Sequence, residues 1–220
     1  MSRSVPGWAV ALCAAATIGA SLAGQATLVY VFKPLTTLLL LVIALRAAAP
    51  VSPRYRAAIV VGMALSLAGD VFLMLPGPYF LHGLVAFLLA HCAYLVALTA
   101  EVRLAARTRP FVAVALVAAG LLAVLWSGVP PAMRLAVVAY VALLGAMTAQ
   151  SVARHQELRR RDSWFAAVGG LLFMSSDTLL AFNRFHTPLP LSPLWVLGTY
   201  YGAQWLIARS ISQRSLSVAA

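Results

Sequence analysis

Charge is what this chain has least of. Of its 220 residues only 10% are charged, and Asp and Glu together number five. Soluble domains carry about a quarter charged residues, so a water-facing surface of ordinary composition is excluded. Lysine occurs once, at Lys33, against fifteen arginines. There are two cysteines, Cys13 and Cys92, each inside an apolar run, where a small core residue is the simplest reading and a disulfide framework is excluded. Short alternating segments that would mark barrel strands are also missing. What remains is 63% hydrophobic with a mean hydropathy of +0.93. Its apolar runs match the ~20 residues a helix needs to cross ~30 Å of hydrocarbon.

The chain therefore reads as an all-α, polytopic transmembrane helical bundle, one integral-membrane domain over 1–220. Eight spans are predicted, at about 5–22, 28–48, 55–75, 79–100, 111–127, 133–152, 164–183 and 193–211. Pro76-Gly77-Pro78, Gly128-Val129-Pro130-Pro131 and the two prolines of 184–192 punctuate the links. The first run also has the shape of a signal peptide, with Arg3 ahead of an apolar core. A retained first span is preferred, because it keeps the basic links on one side. Thirteen of the sixteen basic residues, Arg3 and Arg214 among them, then fall on the side of the two termini, leaving Lys33, Arg134 and Arg184 opposite. By the positive-inside rule both termini are cytoplasmic. The net charge of +11 is thus read as topology and contact with anionic lipid, not as a nucleic-acid interface. The basic link 154–161 is read as a solvated face. Arginine in place of lysine, with abundant alanine, points to a bacterial cell (plasma) membrane.

Against this apolar background the polar residues inside spans stand out. An ionisable group at a helix centre costs ~2.5–3.5 kcal/mol on insertion scales and is kept where it pairs, lines a cavity or does chemistry. Asp70 and Asp177 each lie five or six residues below the same end of the bundle, about 8–9 Å at 1.5 Å per residue. Lys33 shares their layer, with His91, Tyr200, Tyr201 and Gln204 somewhat deeper. Four-residue spacing puts Ser66 with Asp70, Phe87 with His91, Phe173 with Asp177 and Tyr200 with Gln204 on common helix faces, and His91 and Tyr94 are three apart. Gly62, Gly69, Gly83, Gly169 and Gly170 suit close helix approach. Gly-Asp-Val-Phe-Leu-Met at 69–74 is loosely echoed at 172–177, consistent with two four-helix halves of about 1–105 and 106–220.

The segments SLAGDVFLM (66–74), GLVAFLLAHCAY (83–94), GGLLFMSSDTLLAFNRF (169–185) and TYYGAQWLIA (199–208), with the Lys33-Pro34 element, resemble the YhhN family of polytopic membrane proteins, which includes lysoplasmalogenases. The resemblance implies hydrolysis of the vinyl ether bond of lysoplasmalogens, releasing a fatty aldehyde and glycerophosphoethanolamine or glycerophosphocholine. The residues suit that chemistry. A vinyl ether is cleaved by protonating its β-carbon and capturing the oxocarbenium ion with water, which calls for an acid and a stabilising anion. Two carboxylates near one another in an apolar setting divide into such roles, as they do in glycoside hydrolysis. Asp70 and Asp177 are accordingly the expected acid and base or stabiliser, in an order left open, with His91 orienting one of them or carrying a proton. Tyr94, Tyr200, Tyr201 and Gln204 are expected to hold water or the glycerol hydroxyl, Lys33, Asn183 and Arg184 to meet the lipid headgroup. No metal or other cofactor is expected, since two Asp and one His lack a ligand spacing. A lysophospholipid and the bilayer are the expected partners. Alternative readings are a small proton-coupled transporter, which would bury the same residues, or a lipid-binding protein without turnover.

Overall fold

In a computed structural model, described for residues 5–213, the chain forms eight α-helices: α1 (Gly7–Leu22), α2 (Ala26–Leu45), α3 (Pro53–Met74), α4 (Phe80–Leu98), α5 (Thr108–Leu125), α6 (Arg134–Leu158), α7 (Arg161–Phe185) and α8 (Ser192–Arg209). Six of them, α2 to α7, are long and apolar enough to cross a membrane, α1 is a shorter apolar helix and α8 has 18 residues. The chain is thus a multi-span helical membrane protein. Arg3 and Arg214 lie outside the described residues.

The helices turn their apolar side chains outward, as a hydrocarbon solvent demands. Leu38, Val61, Leu89, Leu116 and Leu135 are exposed, while Thr36, Thr37, Ser66, Asp70, His91, Gln150 and Gln204 are buried. This inverts the soluble pattern: polar groups have no water outside the bundle and must find each other inside it. Close helix approach makes that possible. A Cβ at Gly69 would come within 2.6 Å of the Phe87 ring, so the smallness of that residue lets α3 and α4 pack with Phe87 between them. The α3–α4 link turns sharply at Gly77, whose φ of 118° is in the left-handed region that glycine tolerates.

At the opposite end the basic link is solvated only in part: Arg159 and Arg161 are exposed, and Arg154 is not. Helix α6 runs past residue 152 to Leu158, and only Arg159 and Arg160 separate it from α7. Arg154 is fully buried, paired with Glu101 and with Asp162 at 2.8 Å, its guanidinium 4.8 Å over the Tyr55 ring. Arg160 closes the group on Glu101 at 2.8 Å. The correction has a plain cause: two of the five carboxylates converge on these arginines from neighbouring helix ends, and a charged run on its own does not reveal them. Gln150 adds a staple by accepting from the Ala105 amide at 3.1 Å and donating to the Val102 carbonyl at 3.1 Å.

The α5–α6 turn is equally tight. A Cβ on Gly128 would overlap the Phe185 carbonyl oxygen at the end of α7, backbone against backbone. Gly128→Ala is therefore expected to destabilise the protein by about 1–3 kcal/mol, the usual cost of overpacking. A thermal melt in detergent reads this as a lowered midpoint, and an unchanged midpoint would mean that the two backbones are free to part.

Candidate active site

Asp70 and Asp177 sit in the same buried region but have different partners. Asp70, 2% exposed, is 3.4 Å from the Lys33 ammonium through Oδ1, and its Oδ2 accepts from Thr37 and from Tyr200, each at 2.7 Å. Both carboxyl oxygens are thereby occupied by cation or hydroxyl donors, the arrangement that satisfies a buried carboxylate. Pro34 follows Lys33 inside α2 and supplies no amide hydrogen to the helix ladder. The Tyr200 hydroxyl also accepts from Gln204 Nε2 at 3.3 Å, and Gln204 Oε1 accepts from Tyr94 at 2.9 Å. Ser66 Oγ lies 3.2 Å from that same Tyr94 hydroxyl. A continuous hydrogen-bonded line thus joins Tyr94, Gln204, Tyr200 and Asp70.

Asp177 is set otherwise. Its Oδ2 accepts from Tyr140 and lies 3.8 Å from His91 Nε2, within ion-pair range but beyond a direct hydrogen bond. No protein hydrogen bond reaches Oδ1 among the described residues, and the side chain keeps 12% of its surface exposed. That surface opens onto a cleft bounded by α4, α5, α6, α7 and the end of α3, with about 870 Å³ of space counting the part open to its surroundings. Its wall is aliphatic and aromatic, with Leu84, Leu121, Leu144 and Met174 typical, and its polar side chains are Asp177, Tyr140 and Thr178. Between the two aspartates stands an aromatic cluster. The Phe173 ring is 4.8 Å from His91 and 5.6 Å from Tyr200, and Phe87 meets Tyr200 edge-on at 5.9 Å.

The predicted residues therefore divide. Asp70, Lys33, Tyr94, Tyr200 and Gln204 form one network, and Asp177 and His91 another. Lys33 pairs with Asp70 and is not among the residues that line the cleft. Tyr201 turns beside Thr17 and Thr36 of α1 and α2, away from the cleft. Asn183 serves the α7–α8 loop, accepting from the Leu189 amide at 2.9 Å. Arg184 is exposed, 5.0 Å over the Phe80 ring at the cleft mouth. Three residues of these networks escaped the sequence reading: Thr37, Tyr140 and the bridging role of Phe173. Thr37 follows Lys33 by one helical turn, a usable signal. Tyr140 lies in the apolar stretch 135–147 of α6 and offered none. Among the described residues no group of three His, Cys, Asp or Glu comes together as a metal site.

The described residues thus form a helical membrane bundle with one carboxyl group sealed in an ion pair and another presented to an apolar chamber. The sequence places it more narrowly: the YhhN family pattern matches residues 28–211, and the chain belongs to that family. It is similar to the Sus scrofa protein named lysoplasmalogenase TMEM86B, 40% identical over 148 residues, covering 67% of this chain and 60% of that one. The Homo sapiens protein named lysoplasmalogenase TMEM86A is 35% identical over 156 residues, 69% of this chain and 64% of its own. A Mycobacterium bovis protein named lysoplasmalogenase is 33% identical over 174 residues, 76% and 64% of the two chains. The chain thus spans about three fifths of the length of these relatives. No solved structure matches it.

Proposed function

We propose that this protein is a lysoplasmalogenase of a bacterial cell membrane, hydrolysing the vinyl ether of a lysophospholipid whose single chain occupies the apolar chamber. The observation that carries the reading is Asp177, the one carboxyl group on the chamber wall, with one oxygen held by Tyr140 and the other without a protein hydrogen bond among the described residues. The relatives that carry the lysoplasmalogenase name support it.

In this mechanism the protonated Asp177 gives its proton to the β-carbon of the vinyl ether, and the C=C electrons form the new C–H bond. The oxocarbenium ion left behind lies against Phe87, the ring of the cluster that lines the chamber, since aromatic faces attract a cation, with Phe173 and Tyr200 behind it and the Asp70 carboxylate beyond Tyr200. Water adds to the cationic carbon and returns a proton to Asp177, regenerating the acid. The hemiacetal then breaks its C–O bond, leaving aldehyde and glycerol alcohol, so that one water is consumed and no other reactant is needed. Asp70 acts through Tyr200 as a fixed counter-charge, its Lys33 and Thr37 contacts holding it in place. His91 positions Asp177 from the side.

The test is aldehyde release from ethanolamine and choline lysoplasmalogens by the purified protein. Release is expected from at least one of them. None from either, with the protein folded, would overturn the reading in favour of a carrier. Chain selectivity provides a second check. Leu121→Trp fills the α5 wall of the chamber and is expected to lower kcat/KM for an 18-carbon chain about tenfold relative to an 8-carbon chain, since each displaced methylene is worth ~1–3 kcal/mol. An unchanged ratio would put the chain elsewhere.

A further inference from the structure

The chamber's mouth holds two cations that no carboxylate among the described residues neutralises. All five acidic residues are engaged elsewhere: Asp70 with Lys33, Asp177 with Tyr140 and His91, Glu101 and Asp162 with Arg154 and Arg160, and Glu157 with Arg107. Arg134 and Arg184 have no ion pair among the described residues. Each is laid instead on an aromatic face, Arg134 4.9 Å over Trp126 and Arg184 5.0 Å over Phe80. Stacking fixes a guanidinium plane while leaving donor edges free.

Both belong to one seam. Arg134 Nε donates to the Val129 carbonyl at 3.4 Å, Gly128 beside it abuts the Phe185 carbonyl, and Phe185 meets Phe80 edge-on at 5.8 Å. Val129, Phe80 and Phe185 all line the chamber. The two guanidiniums therefore border the same opening, Arg184 seven residues or about 10 Å along α7 from Asp177 and Arg134 six residues or about 9 Å along α6 from Tyr140. The chamber below is apolar apart from Asp177, Tyr140 and Thr178, so the charged end of any amphiphile in it stays at this mouth.

We infer that Arg134 and Arg184 form a clamp for a phosphodiester anion, the headgroup of the lysophospholipid whose chain fills the chamber. The inference rests on the proposed function for its ligand but not for its geometry. Bidentate guanidinium contacts suit phosphate oxygens, and Lys33 is unavailable for the task because Asp70 holds it.

The experiment uses the full chain in detergent with two ligands that resist vinyl ether hydrolysis: a saturated 1-O-alkyl glycerophosphocholine and the 1-O-alkylglycerol of the same chain length. Arg134→Gln and Arg184→Gln are each expected to weaken the phospholipid analogue about tenfold, with the double variant weaker still, while alkylglycerol affinity stays as in the parent. Retained alkylglycerol binding also shows that the variants are folded, and Arg184→Lys should recover part of the loss. Inorganic phosphate alone and glycerophosphocholine alone serve as competitors. Displacement of the analogue by inorganic phosphate at equal strength would make this a free-phosphate site and overturn the headgroup assignment. Equal losses for both ligands, or none, would overturn the clamp. If the parent releases no aldehyde yet binds the analogue in an arginine-dependent way, the clamp stands and the proposed activity falls. If it releases aldehyde and the arginine variants leave KM unmoved, the opposite holds.

Discussion

Asp177→Asn lowers aldehyde release by about 10²–10⁴-fold, the range typical of losing a positioned acid or base, in a protein that remains folded. The amide keeps the size of the carboxyl group and its oxygen can still accept from Tyr140, so packing at the chamber wall persists while the transferable proton is gone. The fall is expected in kcat, with affinity for a saturated ether analogue close to that of the parent. Single-turnover aldehyde trapping on the purified variant measures it, with circular dichroism as the check on folding. A variant retaining a tenth or more of the parental rate would show that the proton comes from another group. The same substitution at Asp70 is expected to reduce the rate as well, but through the loss of a counter-charge behind Tyr200.

Lys33→Met carries the largest expected cost in stability. It removes the cation from a carboxylate that is 2% exposed, and breaking a buried pair from one side typically costs about 3–5 kcal/mol. The double variant Lys33→Met with Asp70→Asn removes both charges, so most of the stability should return while activity does not. Unfolding by a denaturing detergent, followed by loss of helix signal, compares the three proteins. If the single and double variants unfold at the same point as each other, the two charges are not coupled. If Lys33→Met alone matches the parent, the ion pair contributes nothing to the fold, and its partners Thr37 and Tyr200 suffice.

The two experiments differ because the two aspartates differ, and that difference could not be read along the chain. The sequence showed two aspartates at one depth in spans of similar direction, and treated them as a pair. Hydropathy and the fixed thickness of a bilayer determine how many helices there are and where they run, because every backbone group in lipid must be satisfied within its own segment. Helical spacing determined which residues share a face, so the stacks Phe173 with Asp177 and Tyr200 with Gln204 were legible. The polar content of the spans marked Asp70, His91, Asp177 and Gln204 as exceptional on cost alone.

Only the tertiary structure decided the partners. Lys33, Asp70 and Tyr200 come from α2, α3 and α8, and His91, Tyr140 and Asp177 from α4, α6 and α7. Which helix neighbours which, and how far each is rotated, follows from packing of small residues such as Gly69 against rings such as Phe87 and is not encoded in any local period. The same holds for Arg154, which a basic run presents as solvated and which the convergence of Glu101 and Asp162 buries. The chamber is the extreme case: it is a space between five helices, lined by residues that read individually as ordinary membrane-facing leucine and phenylalanine, and no sequence signal separates a leucine that faces lipid from one that faces a cavity.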